Sequence, residues 1–310
     1  MWSEEYDRSL PELFAVHEEI TRRLMTALAV APAEGESERV WRASTDNVEA
    51  YDAYLRGLEL DRRSTPEANA LAVTALEKAI ELDANFTRAY ASLGTVHIRS
   101  VKNGWSRYYF DTMERAFAVT QQALALDESE PEAHAILGFV HALKQEPELA
   151  IHELQSAVAL CPNCSSAKAH LANALLRKGR PEEALPHIRS AIRLEPFHPS
   201  WYILALGNTY RRMGRHEDAI GVLNEYLRQK PEDFDGHILL VAAYVRAGLE
   251  ERAKTGAAEI MRLFPNFSLD SYEAGAADFR PIKETWHVGD YYDRRERIRI
   301  VDSLRKAGME

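Results

Sequence analysis

Along residues 48–267 apolar positions recur with the spacing of amphipathic helices, interrupted at short intervals by proline and glycine. Two slots in this pattern hold small residues. One is filled by Ala72, Ala116, Ala150, Ala184, Ala219 and Ala253, which lie 44, 34, 34, 35 and 34 residues apart. The other is filled by Gly57, Gly94, Gly138, Ala172, Gly207 and Val241, and in the last four repeats it precedes the alanine by 12 residues. A period of 34 with two linked small slots predicts pairs of antiparallel helices, because helices joined by a short turn approach closely only where one presents Gly or Ala to the other. Large residues flank each crossing: Leu93, Leu137, Leu206 and Tyr210 on first helices, and Leu76, Leu154, Ile188 and Leu223 on second helices. The second helices are expected to stop near Ala84, Glu128, Pro162, Pro196, Pro231 and Pro265, where proline cannot donate the next helical hydrogen bond. Gly179, Gly214 and Gly248 are expected to supply the turn inside three of the later pairs.

The pattern divides into six repeats, 48–86, 87–130, 131–164, 165–198, 199–233 and 234–267. The first two carry insertions, since Gly57 to Ala72 is 15 residues and Gly94 to Ala116 is 22. Both are placed in the turn within the pair, the longer at about Ser100 to Glu114. Pro186 falls inside a second helix, where it removes one hydrogen bond and is expected to weaken or kink that helix. Outside the array, Ser9 to Glu12 reads as a capping box that opens a helix within a 1–32 segment, followed by a polar linker over 33–47. Residues 268–310 read as a C-terminal cap, with Ile298, Val301 and Leu304 on one helical face and a closing Gly308.

These residues resemble the tetratricopeptide-repeat (TPR) family, whose 34-residue pattern places a small residue in each helix of a pair and proline at the end. The resemblance covers about Val48 to Phe267. It implies an all-α fold, a right-handed TPR superhelix of about six helix pairs with an N-terminal helix and a C-terminal capping helix. A narrower resemblance rests on Trp2 to Leu10, Leu13 to Ile20, Tyr51, Tyr54 to Gly57, Gly104 to Ser106 and Arg305 to Gly308. These segments look like the TPR region of bacterial multidomain regulators, similar to class III adenylate cyclases or winged-helix activators. That likeness implies a regulatory or sensory region whose effector domain is absent from these residues.

Composition excludes more than it assigns. The net charge is −10, which argues against direct nucleic-acid binding through a basic surface. No apolar run approaches the roughly 20 residues of a membrane span, and the first residues have neither the positive start nor the apolar stretch of a secretory signal, so a cytoplasmic protein or part of a longer one is expected. Cys161 and Cys164 form a C-x-x-C, yet no second ligand pair accompanies it, so two reduced turn cysteines without metal or redox function are expected. No nucleophile elbow, H-E-x-x-H, P-loop or dinucleotide-binding motif occurs, so neither catalysis nor a cofactor is expected. Of the 11 histidines, His97 and His141 fall in the slot of Tyr210 and Tyr244, and His134 and His237 in the slot of Tyr90, as substitutes for packing aromatics.

The first helices line the concave face implied by the TPR resemblance. Asn173 and Asn208 are equivalent on that face. One turn further, a single slot holds Arg99, Leu143, Arg177, Arg212 and Arg246. Trp201 lies seven residues before Asn208 on the same stripe. Asparagine can donate to and accept from an extended backbone, and arginine pairs with carboxylates through two N–H groups. The expected partner-binding residues are therefore Arg99, Asn173, Arg177, Trp201, Asn208, Arg212 and Arg246, and the expected partner is a protein or peptide with acidic groups. The alternative is that these arginines answer carboxylates on neighbouring helices while Trp201 covers a seam between repeats. The row resembles the carboxylate clamp of heat-shock co-chaperones in part only, since Ala169 and Leu204 stand where the clamp carries lysine.

Overall fold

The computed structural model describes residues 45–274 and 294–309, and among these every regular element is an α-helix. The N-terminal helix expected within 1–32 and most of the linker lie outside the described residues. The chain divides into two compact units, one of residues 1–101 and 105–136, the other of 102–104 and 137–310.

In the first unit α1 (Val48–Arg62) and α2 (Pro66–Leu82) form a pair, followed by α3 (Thr87–Lys102), α4 (Tyr109–Leu126) and the start of α5 (Pro131–Leu143). Asn47 starts α1 by accepting from the backbone N–H groups of Glu49 and Ala50, and Thr65 starts α2 by accepting from Ala68, with Pro66 at the first helical position. The core gathers Tyr54, Leu76, Phe86 and Leu93 around Ala50, Ala72 and Ala89. Close approach is visible at Gly57, where an added Cβ would stand 2.6 Å from Leu76 Cγ, and at Gly94, where it would meet Thr120 Oγ1 at 2.5 Å.

The insertions are not turns. Instead they lengthen helices: α1 and α2 have 15 and 17 residues, α3 and α4 have 16 and 18, and the link from α3 to α4 covers only 103–108. The segment just before Ala116 carries Met113 one turn earlier on the buried face, so its apolar spacing continues the helix rather than interrupting it.

The second unit continues with α6 (Pro147–Leu160), α7 (Ser165–Arg177), α8 (Pro181–Leu194), α9 (Trp201–Arg212), α10 (His216–Gln229), α11 (Phe234–Arg246) and α12 (Glu250–Leu263), then α13 (Leu269–Ala274) and α14 (Arg294–Lys306). Each helix from α6 to α12 packs on the next, and the first helices α7, α9 and α11 also touch in sequence. This is a solenoid of helix pairs. Ala150, Ala184 and Ala219 are wholly buried and Ala253 is 1% exposed. In the last pair the size relation is reversed. Val241 stands where other repeats have Gly or Ala, and it packs against Gly256, whose added Cβ would fall 2.7 Å from Val241 Cγ2. The volume at the crossing is kept while the two helices exchange roles.

Gly179, Gly214 and Gly248 adopt φ of 79°, 76° and 73°, the left-handed region that an L side chain enters at a cost. The equivalent residue of the preceding pair is Gln145, which takes φ 62° without being glycine. The helix carrying Pro186 runs unbroken from Pro181 to Leu194. After the array, α14 packs on α11 and α13. Val301 and Leu304 of its expected face are wholly buried together with Ile300, whereas Ile298 is half-buried. Burying these three aliphatic side chains contributes about 1.5–3 kcal/mol each. Gly308, at φ 92°, ends the helix, and the Met309 N–H closes back on Leu304 O.

Candidate binding face

Six of the seven expected binding residues lie in the second unit, on neighbouring first helices: Asn173 and Arg177 on α7, Trp201, Asn208 and Arg212 on α9, and Arg246 on α11. Their environments differ. Asn173 is 6% exposed and Asn208 2%, and Asn208 Oδ1 already accepts from Arg211 Nε at 3.2 Å and Nη2 at 2.8 Å. Trp201 is half-buried and stacked, 5.1 Å from His170 and 4.4 Å from Tyr202 between ring centroids, so it covers the seam between α7 and α9. Lys102 Nζ lies 5.2 Å from the Phe139 ring and 5.9 Å from that of Trp201. His170 lies within this group, and burial, reinforced by Lys102, pushes its pKa down to about 3, so the imidazole is neutral.

The arginine end of the face is met from within the chain. Glu296 of α14, 2% exposed, pairs through Oε1 with Arg211, whose side chain is 8% exposed. Its Oε2 lies 3.9 Å from Arg212 Nε and 3.6 Å from Arg299 Nη1. Neither Arg211 nor Glu296 was among the expected site residues. Arg211 adjoins Arg212 in sequence, but the 34-residue slot selects only the latter. Glu296 lies 85 residues away from Arg211 and outside the repeats.

Arg99 belongs to the first unit, where its Nε lies 2.7 Å from Asp61 Oδ1 of α1. Its equivalents on α7, α9 and α11 are Arg177, Arg212 and Arg246. The histidines divide by role. His97 is 7% exposed, and burial with Arg115 nearby lowers its pKa to about 4. His134 Nε2 and His237 Nε2 lie 2.9 Å from Glu128 O and 2.7 Å from Pro231 O, so both tie down the turn before their own helix. His141 Nδ1 lies 2.6 Å from Glu146.

The expectation of two reduced cysteines is corrected: Cys161 and Cys164 form a disulfide. The Pro162-Asn163 turn lets the Cys164 N–H donate to Cys161 O at 3.1 Å and brings the two Cα atoms to 5.4 Å, within bridging reach. Among the described residues no group of His, Cys, Asp and Glu could hold a metal ion, and no helix is long and apolar enough to cross a membrane.

Residues 163–232 and 204–265 match the tetratricopeptide-repeat family. The two matches overlap and together span residues 163–265. A putative adenylate cyclase 3 of Rhizobium meliloti (strain 1021) is 33% identical over 141 residues, 44% of this chain and 23% of the relative. The transcriptional regulator HilA of Salmonella typhimurium is 24% identical over 191 residues, 61% of this chain and 34% of the relative. The chain therefore spans between 23% and 34% of the length of these two relatives. Among solved structures, PilF of Pseudomonas aeruginosa matches with a TM-score of 0.56 at 21% identity, covering 74% of this chain and 97% of that one, a likeness of fold. TPR repeats are generally non-catalytic scaffolds for protein–protein interaction.

Proposed function

We propose that the TPR face formed by α7, α9 and α11 binds an extended protein segment bearing a carboxylate, in the cytoplasm and without catalysis or cofactor. The single observation that carries this reading is Glu296, a carboxylate seated against Arg211 and Arg212 at the end of that face. Arg177, Trp201 and Arg246 are the residues offered to the ligand, with Asn173, Asn208 and Arg212 behind them. Arg99, engaged by Asp61 in the first unit, is left out of this site. First helices stack about 10 Å apart and an extended chain advances about 3.3 Å per residue, so equivalent side chains would meet every third residue of the ligand.

The test is selection of random displayed peptides on the whole chain. Peptides enriched in Asp and Glu are expected, with affinity that falls as salt rises, and with about tenfold weaker binding to folded Arg177→Ala and Asn173→Ala variants. Selected peptides without acidic bias, or folded variants that bind as tightly as the unmodified chain, would overturn the reading.

A second reading is favoured by the two curated relatives: this chain would be the regulatory region of a bacterial signalling protein. Genomic sequence reads it directly. A cyclase or winged-helix domain encoded in the same frame supports it, and a reading frame encoding neither counts against it.

A further inference from the structure

A cavity of about 250 Å³ opens beside Glu296, lined by the end of α9 and the turn into α10, the end of α11, and Glu296, Arg299 and Ser303 of α14. Four guanidinium groups line it, those of Arg211, Arg212, Arg246 and Arg299, with Glu296 as the sole carboxylate among the lining residues. The lining charge is therefore 4 − 1 = +3, in a chain whose net charge is −10. Glu296 bonds Arg211 directly, while Arg212 at 3.9 Å and Arg299 at 3.6 Å lie beyond hydrogen-bonding distance of its carboxylate. His216 also lines the cavity, and its buried Nδ1 has no hydrogen-bond partner. It is the first residue of α10, so the positive end of that helix lies here too. Burial, and then Arg246 and Arg211, hold the His216 imidazole below its ordinary pKa.

We propose that this cavity is a binding site for a phosphate dianion. A dianion would bring the lining charge from +3 to +1, and tetrahedral oxygens suit several guanidinium forks arriving from different helices better than a single carboxylate does. Arg299, with a side chain 63% exposed, and exposed Arg246 stand at the mouth, so an anion has an open path in. Arg212 is largely buried and supplies donors from the wall. The site goes beyond the peptide reading: it shares Arg211, Arg212, Arg246 and Glu296 with that face and adds Arg299 and His216, and it stands whether or not a peptide binds along α7 and α9.

The experiment is calorimetric titration of the whole chain at constant ionic strength with inorganic phosphate and, in a second arm, with phenyl phosphate; chloride and acetate are the controls. Saturable binding of at least one phosphate species is expected, with neither control saturating. Inorganic phosphate alone would indicate a free anion, and phenyl phosphate a phosphoryl group carried on a larger molecule. Arg299→Gln and His216→Gln are expected to weaken binding about tenfold each, and neither belongs to the proposed peptide face. If His216→Gln fails to fold, Arg299→Gln carries the test, its side chain being 63% exposed. No saturable binding by either phosphate species, equal binding of acetate, or unchanged affinity in the folded variants would overturn the proposal. Each of these results leaves the displayed-peptide result intact.

Discussion

One slot of the repeat is answered in two ways by the two units. In the first, Arg99 meets Asp61 from a helix of the preceding repeat, and the two side chains remain 38% and 12% exposed. In the second, Arg212 and its neighbour Arg211 meet Glu296 from a helix beyond the array, with exposures of 9%, 8% and 2%. The same residue in the same register is thus a half-exposed arginine beside a nearly buried carboxylate in one place and part of a fully desolvated cluster in the other. What separates them is the packing of α14 on α11, which shuts out water around Glu296.

The largest expected effect comes from breaking the buried side of this comparison. Glu296→Ala strands Arg211 without its anion in a low-dielectric setting, and should lower unfolding stability by about 3–5 kcal/mol in urea titrations at neutral pH. A loss under about 1 kcal/mol would mean that Arg211 reaches water despite its burial.

Acid sharpens the comparison next, because each unit holds a histidine kept neutral by its packing, buried His97 and half-buried His170. His97 and His170 have folded pKa values lowered to about 4 and about 3 from 6.5, so the folded state binds fewer protons than the unfolded one. Their contribution is complete above pH 6.5 and is lost as pH falls toward those folded values. Lowering pH from 7 to 5 should cost about 2 kcal/mol for each. His170→Phe and His97→Phe, compared by urea titration at both pH values, should each flatten the dependence by that amount.

A smaller effect, and of opposite sign, is expected where the third repeat departs from the later ones. Gln145→Gly places glycine at φ 62°, as at Gly179, Gly214 and Gly248, and should raise stability by about 1 kcal/mol, measured as a higher urea midpoint. A decrease would show that the Gln145 side chain contributes more than the backbone strain it carries.

The smallest effect belongs to the pair in the first unit. Asp61→Ala should cost no more than about 1 kcal/mol, because the partly exposed Arg99 can turn to water. A loss as large as that of Glu296→Ala would erase the distinction between the two sites.

The fold was legible in the sequence where the cause is local. A Gly or Ala at a crossing, a glycine at positive φ and a proline two residues past a helix end each reflect what one residue type permits in its own backbone. Ala150, Ala184, Ala219 and Ala253 could therefore be placed at crossings from the sequence alone. The insertions were misplaced into turns because the spacing of small residues measures a length and not whether the added residues stay helical; Met113 and its neighbours decide that by burying an apolar stripe.

The candidate site was legible only in part. By itself the sequence determined the repeat, its register, and the row of arginine and asparagine positions that the register generates. Tertiary structure alone decided what those side chains meet: Asp61 for Arg99, Arg211 for Asn208, Glu296 for Arg211 and Arg212, and each other for Cys161 and Cys164. The physical reason is range. Backbone geometry and helix packing repeat with the chain, whereas a charge is answered by whichever group the fold brings within a few ångströms, here one 85 residues away on a helix that obeys no repeat.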